Sequence, residues 1–521
     1  MISIFIQKLL SLIIFLFIFF HISCSSYEIK NKNTFVFATY DDVKDWDPAT
    51  AFSLEVLPMS NIYEPLLWYD ASEKNHKLVP GLAKSYSKSK DALEWTFILR
   101  ENVKFHDGST FDASTVKFVV ERNKTFNRGA SYIWSAVKEV IVLDKYKVLF
   151  RLNSPVALDR IVSSQYGAWM YSKKFSEISP DSIRKGYASG TGPYYLSDWS
   201  PNNKIILNKY ENYWGGWNKK NYFEKIDIKI INESSTRLQM VKKGIADYAA
   251  LIPVQLLNSL EGHSDVEIGF YPSWVNHFYL LNTEKFPTNN IWIRKAIAAT
   301  FDRTILTKYI YKNTGKTPKG LIPSNIPLFS EPDSLIDFNL DIARSWLDSS
   351  KITLNDIDID LSYVSSSEEY RLTALMLLDN LRRIGINLEL KPGLWSVNWE
   401  RAKNLESSPN IISMAWWPTY PTPSDWLFGL YHSQNPPLFN LSHYSNPKID
   451  SLINEAWKNE IINPEKSKNI YKKIQNILIA DCVVIPAVDL KIQSVKRKDI
   501  KGFKGNPAYS TILFYHLWRE Q

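Results

Sequence analysis

The sequence predicts an α/β protein of at least two lobes, and three observations carry that expectation. A chain of 521 residues is too long for one hydrophobic core. Strand-period and helix-period segments alternate along it, most plainly between residues 357 and 391. Residues 190–193 (GTGP) gather two glycines and a proline, a change of direction that marks a boundary between lobes. Hydrophobic content of 45% and charged content of 22% are those of a globular protein. The 18 Trp, 28 Tyr and 26 Phe furnish either a large core or the wall of a binding cleft.

In chain order, residues 34–38 (TFVFA) read as a buried strand and residues 95–100 (WTFILR) as a second. Asp107-Gly108 signals a turn, and Asp112 is placed to cap a helix through Val116 and Val119. Residues 226–231 alternate as a strand. Asn232 is then expected to cap a helix that ends at Lys243, with Gly244 suited to a left-handed position. Residues 357–363, 368–383 and 386–391 read as strand, amphipathic helix and strand, hence a parallel βαβ unit. Pro447 and Pro464 each stand where a helix starts. Residues 414–426 (MAWWPTYPTPSDW) crowd three tryptophans among prolines, which predicts a rigid loop with accessible rings.

Net charge is +8, but the 62 Lys and Arg are interspersed with 54 Asp and Glu, and no run is long enough to track nucleic acid. Residues 9–20 (LLSLIIFLFIFF) follow Lys8 and are too short to span a bilayer, which fits a signal-peptide core. Ser23-Cys24 then resembles a bacterial lipobox, making Cys24 the lipidated first residue of the mature chain. A plain secretory cut near Ser23, or an uncleaved anchor, are the other readings. Cys482 is left without a disulfide partner and reads as a small buried hydrophobe. No Cys or His spacing suggests a metal or cofactor, and no nucleophile–base pair suggests an enzyme. His106, beside Asp107, reads as part of a turn.

Eight segments occur in an order that resembles one known family: residues 63–69 (YEPLLWY), 78–84 (LVPGLAK), 95–108 (WTFILRENVKFHDG), 190–194 (GTGPY), 212–216 (NYWGG), 243–247 (KGIAD), 294–303 with RKAI and FDR, and 445–450 (SNPKID). The chain resembles the large extracytoplasmic solute-binding proteins of peptide and nickel ABC importers. The resemblance implies a bilobed fold with an extra domain inserted in the first lobe. Lobe I would comprise residues 34–65, 191–273 and 491–521, the insert residues 66–190, and lobe II residues 274–490. Residues 1–23 would be the leader and 24–33 a tether. Ligand would be enclosed between the lobes by hinge closure and handed to permease subunits, with the membrane reached through the lipid anchor.

The same resemblance points to Trp416, Trp417, Thr419, Tyr420 and Asp425 as ligand-binding residues, with Trp134. In the peptide binders the position of Thr419 carries an Asp that pairs with the peptide's α-ammonium. A Thr hydroxyl supplies only a neutral acceptor, so Asp425, Asp41 or Asp42 takes its place, or the ligand has no free amine. A nickel-chelate reading of the same family would use His432 with Trp134, Trp416 and Arg128. A surface lipoprotein serving as adhesin, chaperone or sensor is the reading from outside transport.

Overall fold

A computed structural model describes residues 31–72, 76–217, 222–353 and 357–520. Cys24 and the apolar leader lie outside the described residues. Three main sheets organise the chain. The first has seven strands, with Thr34–Thr39 near its middle, parallel to Lys225–Ile230 on one side and Tyr248–Ala249 on the other. Lys204–Lys209 and Tyr194–Ser200 extend one edge, and Ile492–Arg497 with Val266–Tyr271 close the other. The second is an antiparallel sheet of Ala83–Lys88, Glu94–Leu99, Lys147–Leu152 and Val137–Asp144. The third has five strands, in the order Asn387–Gly393, Asp358–Val364, Ile411–Trp416, Asn276–Leu281 and Val484–Asp489.

The third sheet is covered on both faces, which is why Asn276–Leu281 is buried at every position. Phe278 and Leu280 join one core with Met414, Trp426 and Tyr471, while Tyr279 and Leu281 join another with Ile297, Ala374 and Leu381. The first and third sheets are linked by two adjacent crossings. Val266–Tyr271 pairs antiparallel with Ile492–Arg497, and Asn276–Leu281 pairs antiparallel with Val484–Asp489. Between them Leu490 N donates to Val275 O at 2.8 Å and Ser273 Oγ to Leu490 O at 2.6 Å. Two short extended segments are thus the covalent connection between the sheets, a geometry suited to hinging.

Local signals in the sequence match most of these elements. Asp112 accepts from Thr115 N and forms a capping box for Ala113–Phe126. Pro447 and Pro464 occupy the first turns of Pro447–Ile462 and Pro464–Ala480. Asp358–Val364 and Asn387–Gly393 run parallel around the helix Glu368–Arg382. Gly244 has φ +72°, as a left-handed helix terminator requires. One cap differs: Glu233, not Asn232, precedes the helix Ser234–Lys242 and accepts from Ser235 N.

The segments that resemble the binding-protein family act as structural joints. Glu64 is buried and accepts from Thr191 Oγ1 at 2.8 Å, Tyr213 OH at 2.9 Å and Trp214 Nε1 at 2.7 Å. Burial pushes its carboxyl up to about 7, against the pull of those donors. Three separate motifs therefore meet on one acid. Gly190 packs so closely that a Cβ would collide with the carbonyl of Ile62. Asp247 receives the amide of Val36 and the guanidinium of Arg519, while Arg294 and Arg303 donate to buried backbone carbonyls. His106 Nε2 lies 2.9 Å from Gly192 O, and burial lowers its pKa to about 4. Cys482 is buried, its thiol pushed up to about 12 by burial.

Candidate functional site

Residues 414–426 are not a single loop. Ile411–Trp416 is a strand of the third sheet, residues 417–422 form a short irregular link, and Pro423–Tyr431 is a helix. Pro423 sits in the first turn, where a missing amide costs nothing, so proline starts this helix instead of preventing it. The rings are not accessible either. Trp416 and Tyr420 are buried, Trp426 is completely so, and only Trp417 is partly exposed.

The helix start brings Asp425 back against the link. Its Oδ2 accepts from Thr419 N at 2.8 Å and Trp416 Nε1 at 2.9 Å. Its Oδ1 accepts from the hydroxyl of Tyr132 at 2.8 Å, and that hydroxyl also lies 3.0 Å from Thr419 Oγ1. Tyr132 belongs to the segment 66–190, in the turn Gly129–Trp134. Burial drives the Asp425 carboxyl up to about 7, and the bonds from Thr419, Trp416 and Tyr132 restrain the rise. An acid absent from position 419 in the sequence is thus present beside it in space.

Aromatic rings surround this acid. Phe52 packs edge-on to Tyr132, Tyr166, Trp416 and Phe439, drawing rings from all three parts of the chain together. Phe428 stacks on Tyr132, with centroids 5.8 Å apart, and Trp399 stacks on Phe439 at 5.1 Å. Phe52, Tyr132, Trp399, Trp417 and Phe428 are each partly exposed. Direct hydrogen bonds join the same elements. Gln165 Nε2 reaches Pro418 O at 2.5 Å, Ser164 Oγ reaches Thr419 O at 2.7 Å, and Trp417 Nε1 donates to Tyr166 OH at 3.0 Å.

Other expected residues lie elsewhere or are engaged. Trp134 faces the interior of the second sheet, donates Nε1 to Gly167 O at 2.9 Å and stacks on Phe150. It is a core residue. Tyr132, two positions earlier in the same turn, reaches Asp425 instead. Asp42 accepts from Trp199 Nε1 and Asn202 N, and Asp41 accepts from Asp42 N and pairs with Lys44. Neither acid hydrogen-bonds the 416–425 segment, because their own corner of the first sheet uses them. His432 stacks on Phe428 at 4.6 Å, with Nδ1 near Ser433 O and Nε2 near Asn454. Arg128 is exposed at the start of its turn. Among the described residues no group of three or more His, Cys, Asp or Glu is arranged to hold a metal. Phe52, Tyr132, Tyr166, Trp399, Phe428 and Phe439 were not singled out by sequence reasoning. The aromatic excess was their only signal.

Two lobes joined by a double crossing, with a third unit beside the first, define the bilobed class of periplasmic binding proteins. Solved structures agree with that class. A Helicobacter pylori periplasmic binding protein, DppA, in complex with peptide STSA superposes with a TM-score of 0.84 at 24% identity, covering 94% of this chain and 98% of that one. A dipeptide-binding protein from Pseudoalteromonas sp. SM9913 in complex with Met-Leu gives 0.85 at 18% identity, with 94% and 100% covered. NikZ from Campylobacter jejuni in complex with Ni(L-His) gives 0.81 at 20% identity, again with 94% and 100% covered. The chain belongs to the bacterial extracellular solute-binding proteins, family 5, whose model matches residues 77–437. Among relatives, the Escherichia coli protein named "Probable D,D-dipeptide-binding periplasmic protein DdpA" is 26% identical over 87% of each chain. The glutathione-binding protein GsiB of the same species is 25% identical over 83% of this chain and 84% of its own. No helix among the described residues is long and apolar enough to cross a membrane.

Proposed function

We propose that this protein is the substrate receptor of an ABC importer, anchored by lipid at Cys24, and that it captures peptides with a free amino terminus. Ligand contacts both lobes at once, so binding favours the closed population and presents it to the permease. Family membership and the peptide ligands named for several relatives support the transport role. The observation that carries the ligand class is Asp425. It is a buried acid held by Tyr132, Trp416 and Thr419 between aromatic walls from both lobes and the 66–190 unit. An ammonium entering that position would meet a carboxylate already oriented by three donors, and a carbon chain beside it would meet Phe52, Trp399 and Phe428. The engaged nitrogens of His432 count against the nickel-chelate reading.

Thermal unfolding with unblocked peptides, N-acetylated peptides and nickel–histidine tests this. Unblocked peptides should raise the melting temperature, by about 2.7 kcal/mol of stability at a hundredfold excess over Kd. They should also shrink the radius of gyration in small-angle scattering. Stabilisation by nickel–histidine alone, or equal stabilisation by acetylated peptides, would reject the free-amine reading. No response to any of the three would favour a surface role outside transport.

A further inference from the structure

We propose that the end of the first sheet at which the chain enters is a seat for anionic lipid headgroups, one that holds the anchored protein with its third sheet turned away from the bilayer. The inference rests on the anchoring at Cys24 proposed above. Asn31, the first described residue, follows Cys24 by seven positions. A chain of that length reaches about 25 Å at most. The surface around Asn31 is therefore kept near the membrane, yet screening leaves it outside the field of the headgroups unless it comes within about 8 Å. Contact is thus decided by that surface and not by the anchor alone.

Register places four lysines around this entry. Thr34 pairs with Lys225, the first residue of the parallel strand Lys225–Ile230. The helix Ser234–Lys242 runs back to the same end and is followed by Lys243, and a Cβ on Gly244 would lie 3.9 Å from the guanidinium carbon of Arg497. The antiparallel strand Ile492–Arg497 also finishes here, where Arg497 N donates to Asp247 O and Lys498 N to Asp265 O. Arg519 ties the corner together: it donates to Lys32 O at 3.3 Å and Thr34 O at 3.4 Å, and pairs with Asp247 and Asp499. Lys32, Lys225, Lys243 and Lys498 are all exposed. Among the described residues their ammonium groups make no ion pair or hydrogen bond. Most acids beside them are already paired, Asp265 with Arg497, Asp499 with Arg519, Glu520 with Lys501 and Glu267 with Lys496. Glu224 and Glu261 are the exposed acids left over, so the surplus is positive. Unpaired ammonium groups fixed at one end of a sheet, on a body tethered to a bilayer, match a surface of repeated negative charges. The strand Val266–Tyr271 runs away from this end and leads through Ser273 into the third sheet. Seated this way, the sheet that carries Trp416 lies on the side remote from the membrane.

The test uses the full chain on vesicles, with a donor dye on Ser264→Cys, an exposed position beside Asp265, and acceptor dyes on lipid headgroups. Cys482 is buried and stays unlabelled. Energy transfer should be higher on mixed phosphatidylcholine–phosphatidylglycerol vesicles than on phosphatidylcholine alone, and high salt should remove the excess. Lys32→Gln, Lys225→Gln, Lys243→Gln and Lys498→Gln should each lower the seated-to-free ratio about fivefold, and together they should abolish the excess. Lys308→Gln/Lys448→Gln/Lys458→Gln/Lys473→Gln removes as much charge from exposed sites elsewhere and should leave the excess intact. Equal transfer on the two kinds of vesicle would overturn the seat, as would an equal loss in that control. Should the fourfold variant at the entry fail to fold, unchanged transfer in Lys225→Gln/Lys498→Gln would overturn it equally. Flotation separates the seat from the anchor. Protein that floats with both vesicles but shows equal transfer sinks the seat alone. Protein that floats only with phosphatidylglycerol keeps the seat and sinks the anchor, and protein that floats with neither sinks both.

Discussion

The hydroxyl of Tyr132 donates to Oδ1 of Asp425 over 2.8 Å, joining residues 293 positions apart in the chain. Tyr132 lies in the turn Gly129–Trp134 and Asp425 in the first turn of the helix Pro423–Tyr431, so this single bond ties together two elements far apart in the chain. Removing the hydroxyl is the cleanest probe of it. Tyr132→Phe keeps the stack on Phe428 but leaves Asp425 one donor short. Affinity for an unblocked peptide should fall by roughly 1–3 kcal/mol in calorimetry, with little change in far-ultraviolet dichroism. Unchanged affinity would remove Tyr132 from the site.

Asp425 also gives a pH signature. Its carboxyl is raised to about 7 in the folded protein, against about 3.9 in an unfolded chain. Between those values the native state holds the extra proton, so this group's contribution to stability declines as pH rises through the window. Asp425→Asn should therefore flatten the fall in melting temperature between pH 5 and 8. Glu64 retains its own share of that slope, being raised to about 7 as well. Binding should move the opposite way: wild-type affinity for a free amine should weaken below about pH 7, as the acid protonates. A mutant whose stability profile matches wild type would show that Asp425 does not titrate there.

Thr419→Asp is informative because Asp425 already lies against Thr419 N. Two carboxylates in one buried place cannot both ionise readily, so one would be driven further towards its neutral form. The variant should bind unblocked peptides no better than wild type and lose stability above neutral pH. A clear gain in free-amine affinity would mean that the second acid reaches a ligand position of its own.

The junction on Glu64 predicts a purely structural loss. Glu64→Ala strands the donors of Thr191, Tyr213 and Trp214 in a buried place. A cost of about 3–5 kcal/mol is expected in denaturant unfolding. Gly190→Ala should be comparably severe, since its Cβ would meet the Ile62 carbonyl. Any soluble fraction of either variant should still bind peptide. Normal stability in both would show that this joint contributes little.

Anchoring is tested at Cys24. Cys24→Ser should release the protein from the membrane fraction or leave an unprocessed precursor. Unchanged size and unchanged detergent partitioning would reject lipidation.

Much of the fold was legible because its signals are local. The Asp112 cap, the Asp107-Gly108 turn, Pro447, Pro464, Gly244 and the strand–helix–strand run ending at Gly393 each depend on a few neighbouring residues with fixed periodicity. The eight motifs named the family for the same reason, and Glu64, Gly190, Arg294 and Arg303 show that they record joints of the fold more than contacts to a ligand. The candidate site was legible only in outline. Composition drew attention to residues 414–426, but whether Pro423 ends or begins a helix depends on what packs around it, and the helix Pro423–Tyr431 is buried in the second lobe. Spacing could not separate Tyr132 from Trp134, because which ring faces the core is settled by Phe150 and Gly167 on one side and Phe428 and Asp425 on the other. Nor could it choose among Asp41, Asp42 and Asp425. That choice belongs to tertiary structure, since a buried carboxylate settles where enough donors converge on it, and here those donors come both from its own neighbourhood, Trp416 and Thr419, and from Tyr132, far away in the chain.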